Sequence, residues 1–349
     1  MGGGYKAHFQ NGRTGVYFFF ILSGFGLTYS LIQKNMVGKS ILGGKTLCLL
    51  SLYQYAKEKT RKIYKPYMIS IFLCVPITLY QAVLLHGIKV GAIRTVSKVI
   101  FVPFLIQSAT GLNGFSHAFN GVCWFLSTLF ILYMAYPLLN KINGLIWKRK
   151  RTIFLMIIFI IIFNEVWHAI LRQIERSTPF DALSYESPYF RIICFTLGIL
   201  ICDIRYHVGK IKYANIIEFF VLTNSVLWWM VRNAFTLSQI GLADAELKEL
   251  IDMLLMALCI FVFSYESGLV SRVLRSKIFV LLGDSAMFIF LYHSVFIGNI
   301  VPISEVMHLG GKMKTIVCLA VITVGTAVSV LIYNKMGVLI AHSRDKLSS

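Results

Sequence analysis

The chain has 349 residues, 57% of them hydrophobic and 14% charged, with a mean hydropathy of +0.73 and a net charge of +19. No water-soluble core absorbs that much apolar surface, so the composition excludes an ordinary soluble domain and points to an all-α polytopic membrane protein. The positive charge is not gathered in any basic soluble domain, so nucleic acid is not an expected partner and the lipid bilayer is.

The opening MGGGYK lacks the charged start and short apolar core of a signal peptide, and Lys6 stands where a myristoylation motif needs Ser or Thr. Membrane insertion is therefore expected from the spans themselves. The first, near 14 to 33, sits in RTGVYFFFILSGFGLTYS, where Ser23 and Gly24 are small enough to let helices approach closely in lipid. Eight further stretches of spanning length lie near 66 to 86, 121 to 140, 152 to 170, 187 to 204, 214 to 232, 249 to 266, 278 to 300 and 315 to 340. About nine transmembrane helices follow, in one integral-membrane domain over 1–349, with the two termini on opposite faces.

The loops alternate in charge. The segments 34 to 65, 141 to 151, 205 to 213, 267 to 277 and 335 to 349 hold 22 Lys and Arg, and the opposite set holds 11. By the positive-inside rule the first set is cytoplasmic, which puts Met1 outside and Ser349 inside a multi-pass protein of the cytoplasmic (inner) membrane. The apolar piece from Val99 to Gln107 is too short to span and is expected at the outer face or re-entrant. Seven cysteines are scattered through apolar stretches without a CxxC or a Cys/His cluster, so they read as small core residues and no metal is expected.

Four further stretches stand out: YAKEKTRKIYKPY from Tyr55 to Tyr67, WFLSTLFILYMAYP from Trp124 to Pro137, RIICFTLG from Arg191 to Gly198, and LGDSAMFIFLYH from Leu282 to His293. Together with the Ser-Gly-Phe step, and in this order, they resemble the acyltransferase-3 family of integral-membrane bacterial O-acyltransferases, which usually have ten helices. The chain departs from that pattern at several positions. Tyr17 stands where an acidic residue is common, Lys59 and Lys62 flank Arg61 in place of an arginine pair, Leu129 and Phe130 replace acidic residues, and Cys194 occupies a frequent glutamate position. The family's first helix, ending in a histidine regarded as the catalytic base, is expected to be missing.

The resemblance implies transfer of an acyl group, most often acetyl, from cytoplasmic acyl-CoA to a hydroxyl of a cell-surface or lipid-linked carbohydrate. Such chemistry needs a base for the hydroxyl proton and a donor for the oxyanion. His8 is the only histidine near the start, and His293 lies at depth in an apolar helix beside Tyr292, so both are candidate bases. Ser23 and Arg191 are expected at the reaction centre, and Arg191 is expected to pair with an intramembrane acid or an anionic ligand. The basic residues Lys59, Arg61 and Lys62 suit the phosphates of acetyl-CoA, while Trp124, Ser127 and Tyr292 are candidate substrate contacts. Polar residues inside a bundle also serve pathways, so a transporter or flippase for a lipid-linked or acyl substrate is the alternative.

Overall fold

The computed structural model describes residues 12–43, 45–232, 244–306, 313 and 316–331. A chain in lipid must satisfy each backbone N–H and C=O internally, and among the described residues all regular structure is helical. The helices are α1 (Gly12–Gln33), α2 (Leu49–His86), α3 (Ile88–Val99), α4 (Cys123–Ile146), α5 (Lys150–Ser177), α6 (Pro188–His207), α7 (Ala214–Val231), α8 (Asp244–Phe263), α9 (Leu269–Leu274), α10 (Lys277–Val306) and α11 (Ile316–Leu331). Helices α1, α2, α4, α5, α7 and α10 have the length and hydropathy of a membrane span. Two more expected spans are the 20-residue helices α6 and α8, whose buried charged residues, Arg191 and Asp203 in one and Glu249 and Asp252 in the other, set them apart from a plain lipid span. Of the ninth, expected near 315 to 340, the described part is the shorter apolar helix α11.

The chain divides into two units, residues 1–57 with 128–276, and 58–127 with 277–349. In the first, α1 and α6 form the central pair. A Cβ on Gly24 would strike the Phe195 carbonyl, and one on Gly198 would strike that of Ile21. The Ser-Gly-Phe step and the Phe-xx-Gly end of the Arg191 motif are thus two halves of one contact, in which small residues let backbone meet backbone. Around this pair stand α5 and α8, and their outward side chains, such as Phe154, Phe159 and Ile162 of α5, are apolar as a lipid-facing surface requires.

Glu218 on α7 accepts from the Gly268 and Ser271 amides and the Ser271 hydroxyl at 2.7, 2.9 and 2.6 Å, so it caps the short helix α9. At the opposite end of α4, the buried Asn140 fastens the α1–α2 loop. Its amide donates to the carbonyls of Lys39 and Met36 at 2.9 and 3.4 Å, and its oxygen accepts from Gly38 N at 3.2 Å. Gly38 has φ +74° and its backbone lies directly on Gly144, which leaves no room for a side chain on either residue.

In the second unit, α2 extends far beyond the expected span, because its basic lead-in is helical too, and it accommodates Pro66 and Pro76. It ends at Gly87, whose φ of +76° reverses the chain into α3. Gly91 lies on the backbone of Ala82 and Val83, so α3 runs back along α2. The piece from Val99 to Gln107 then becomes two short 3₁₀ turns seated against α2 and the start of α4. Tyr64 donates to Pro103 O at 2.8 Å and Tyr67 to Val102 O at 2.9 Å, while Ser127 donates to Leu105 O at 3.0 Å. From His86 back to Tyr67 is roughly 28 Å along a helix, close to the hydrocarbon thickness of a bilayer.

Reporter fusions after Arg149, between α4 and α5, are expected to read cytoplasmic, and fusions after Arg176, at the end of α5, to read exterior. A cytoplasmic signal from the second would overturn the orientation drawn from loop charge.

Candidate active site

The start of α1, the end of α5, the start of α6 and the first turns of α8 come together in the first unit, on the side that loop charge assigns to the exterior. Helix α6 begins sharply because Ser187 is its N-cap, with Oγ accepting from Phe190 N, and Pro188 occupies the first turn. That start places Arg191 one turn inside the helix with 0% exposure.

The Arg191 guanidinium lies between two phenol rings, 4.6 Å from the centroid of Tyr17 and 4.3 Å from that of Tyr185, with Phe190 at 5.1 Å. Its Nε donates to Tyr185 O at 2.7 Å, and neither Nη finds an oxygen acceptor. The expected direct pairing with an acid is therefore replaced by a stack of rings, held by cation–π attraction. One departure from the family pattern bears on this: Tyr17, where an acidic residue is common, stacks on the guanidinium.

Tyr17 carries the contact onward by donating its hydroxyl to Glu249 Oε2 at 2.9 Å. Glu249, 4% exposed, stands 3.9 Å from Nε2 of the buried His168, and Arg172 Nε donates to that same Nε2 at 3.2 Å. His168, Arg172, Glu175, Arg176, Tyr185 and Glu249, with Ser184, wall a cavity of about 350 Å³. Glu175 is engaged there by Ser184, from its amide at 2.7 Å and its hydroxyl at 2.6 Å. One turn along α8, Asp252 pairs with Arg232 at 2.9 Å and accepts from Trp228 Nε1 at 2.8 Å. Chemically this is a buried imidazole whose Nε2 has a guanidinium and a carboxylate beside it, with a second, buried cation behind.

Of the residues expected at the site, Arg191 stands here. His8 lies outside the described residues. Ser23 donates to Phe19 O in its own helix at 2.7 Å, next to the Gly24 contact. His293 and Tyr292 belong to α10 of the second unit, where His293 Nδ1 meets Ile289 O at 3.0 Å and the ring lines an apolar cavity of about 510 Å³ between α10 and α11. Trp124 is buried near the start of α4, and the Ser127 hydroxyl is occupied by Leu105 O and by the amide and hydroxyl of Ser108. Lys59, Arg61 and Lys62 are exposed on α2. His168 and Glu249 were not legible as site residues. The available signal is Asn164 and His168 on α5, two polar residues four apart in an apolar segment.

A family model described as an acyltransferase domain matches residues 2–334. No curated protein and no solved structure matches the chain.

Proposed function

Because this chain belongs to the acyltransferase-3 family, we propose that it is an O-acyltransferase of the cytoplasmic membrane that moves an acetyl group from acetyl-CoA to a hydroxyl of a cell-surface or lipid-linked carbohydrate. The observation that carries the reading is the cavity walled by His168 and Glu249, at helix ends that loop charge assigns to the exterior. Its size lies at the lower end of pockets that enclose an organic ligand, and its Arg, Glu and Ser side chains are the groups that hydrogen-bond sugar hydroxyls.

His168 serves as the base. The nitrogen that accepts from Arg172 is the one an acceptor hydroxyl meets when it takes the place of that guanidinium N–H. As the hydroxyl oxygen bonds to the thioester carbonyl carbon, its proton passes to Nε2, and the carbon–sulfur bond breaks to release the thiol, which recovers the proton. Glu249, 3.9 Å from Nε2, favours the imidazolium in between. Tyr17 fixes that carboxylate, and Arg191 stands behind Tyr17 as a positioning cation. Lys59, Arg61 and Lys62 attract the phosphates of acetyl-CoA from the cytoplasmic side.

The test is acetyl transfer to a glycan acceptor by the full chain in nanodiscs. His168→Gln is expected to lower kcat by roughly 100-fold or more while the folded yield stays unchanged. Full activity in His168→Gln together with loss in His293→Gln would move the base to the second unit.

A further inference from the structure

The α1–α2 loop carries a second feature that the acceptor cavity does not use. Lys39, Lys45 and Lys141, with Gly38, Leu42 and Pro137 among their neighbours, line a cavity of about 170 Å³. No carboxylate contributes to its walls, and among the described residues neither Lys39 nor Lys141 has an acidic partner. Lys45 Nζ donates to Gln54 Oε1 at 2.7 Å, a neutral group that orients the ammonium without cancelling its charge. Three like charges around one small cavity repel one another, and an anion placed among them relieves that repulsion.

The loop is held in this shape before any ligand arrives. Asn140 fastens its backbone at three points, Leu42 is buried as an apolar anchor, and the Gly38 backbone rests on Gly144. Gly43 adds a second left-handed residue, φ +62°. A glycine-shaped loop that gathers ammonium-bearing side chains around a small hollow is an arrangement in which phosphate oxygens can be bound. The hollow is smaller than the ~300 Å³ of a pocket that encloses a whole organic ligand, so it takes phosphate groups while the remainder of the molecule lies outside.

The geometry points to a phosphate-binding site, formed by Lys39, Lys45 and Lys141 on the face that loop charge assigns to the cytoplasm, which grips the phosphates of the acyl-CoA donor. The identity of the donor rests on the acyltransferase reading; the phosphate chemistry does not.

The test uses the full chain in phosphatidylcholine nanodiscs, with inorganic pyrophosphate and coenzyme A as probes in calorimetry. Wild-type protein is expected to bind both, less tightly as salt rises. The triple variant Lys39→Ala, Lys45→Ala, Lys141→Ala is expected to bind each at least about tenfold more weakly. The replaced residues are exposed, and elution as a single folded species verifies that the variant is intact. The single reversal Lys141→Glu should weaken binding in the same direction. Equal pyrophosphate affinity in wild type and triple variant would overturn the site. Binding of pyrophosphate that disappears in discs containing an anionic phospholipid identifies a lipid headgroup as the occupant and overturns the donor assignment, as does an unchanged KM for acetyl-CoA in an active triple variant. Pyrophosphate binding that depends on the lysines in a protein that acetylates no glycan would leave the site standing and defeat the acyltransferase reading instead.

Discussion

Replacing Arg191 by alanine is expected to lower both the folded yield and the acyl transfer of the chain, the latter by on the order of 100-fold. The guanidinium is fully buried, packs on the rings of Tyr17 and Tyr185, and bonds the Tyr185 carbonyl. Its removal leaves a void between two rings and takes the cation away from the buried Glu249, at a cost of about 3 kcal/mol or more. Arg191→Lys should rescue little, since a compact ammonium cannot stack flat between two phenols. Arg172→Ala provides the contrast: Arg172 lines the cavity, so its loss should raise KM for the acceptor with little effect on yield. Fluorescence-detected gel filtration and glycan acetylation together measure both quantities. If Arg191→Ala and Arg172→Ala behave alike, with yield intact, then the buried cation positions nothing.

Gly198→Leu is expected to be the most destructive single change in the first unit. Its side chain would have to pass through the Ile21 carbonyl, so α1 and α6 must separate along their length. Forced overpacking costs about 1–3 kcal/mol where side chains can yield, and here the obstacle is backbone, so the loss should exceed that range. Gly26→Leu, on the same helix as Gly24 but with nothing within 4 Å of the added carbon, should be neutral. Thermal unfolding in detergent distinguishes them. An unshifted transition for Gly198→Leu would show that the two helices do not meet backbone to backbone.

The spans were legible because lipid imposes the same demand on every crossing segment, and runs such as IFLMIIFIIIF satisfy it without reference to the rest of the chain. Ser23–Gly24 was visible as a small-residue step and Phe195–Gly198 as the end of a family-like motif, but nothing in either says that they face one another. The site was harder to see. Tyr17 and Glu249 are separated by 232 positions, and their bond exists only because α1 and α8 start on the same side of the same unit. His168 reads as a helix-end residue until α6 is placed against it, with Phe190 beneath its ring at 4.7 Å. Likewise the lysines of the α1–α2 loop look like topology signal alone, and it takes Asn140, a hundred residues away, to bring two of them beside Lys141 of α4 around one hollow.

Direct contact between the backbones of α1 and α6 has a consequence for motion. Packed helices slide or rock by letting the side chains between them change rotamer, and at Gly24 and Gly198 there are no such side chains. This pair therefore behaves as a fixed post, and any opening that admits a substrate must come from elements that turn about it, such as α5 and the segment from Ser177 to Ser187 at the cavity rim. Amide exchange should follow the same division: slowest at the centre of α1 and α6, fastest where α5 gives way to that segment.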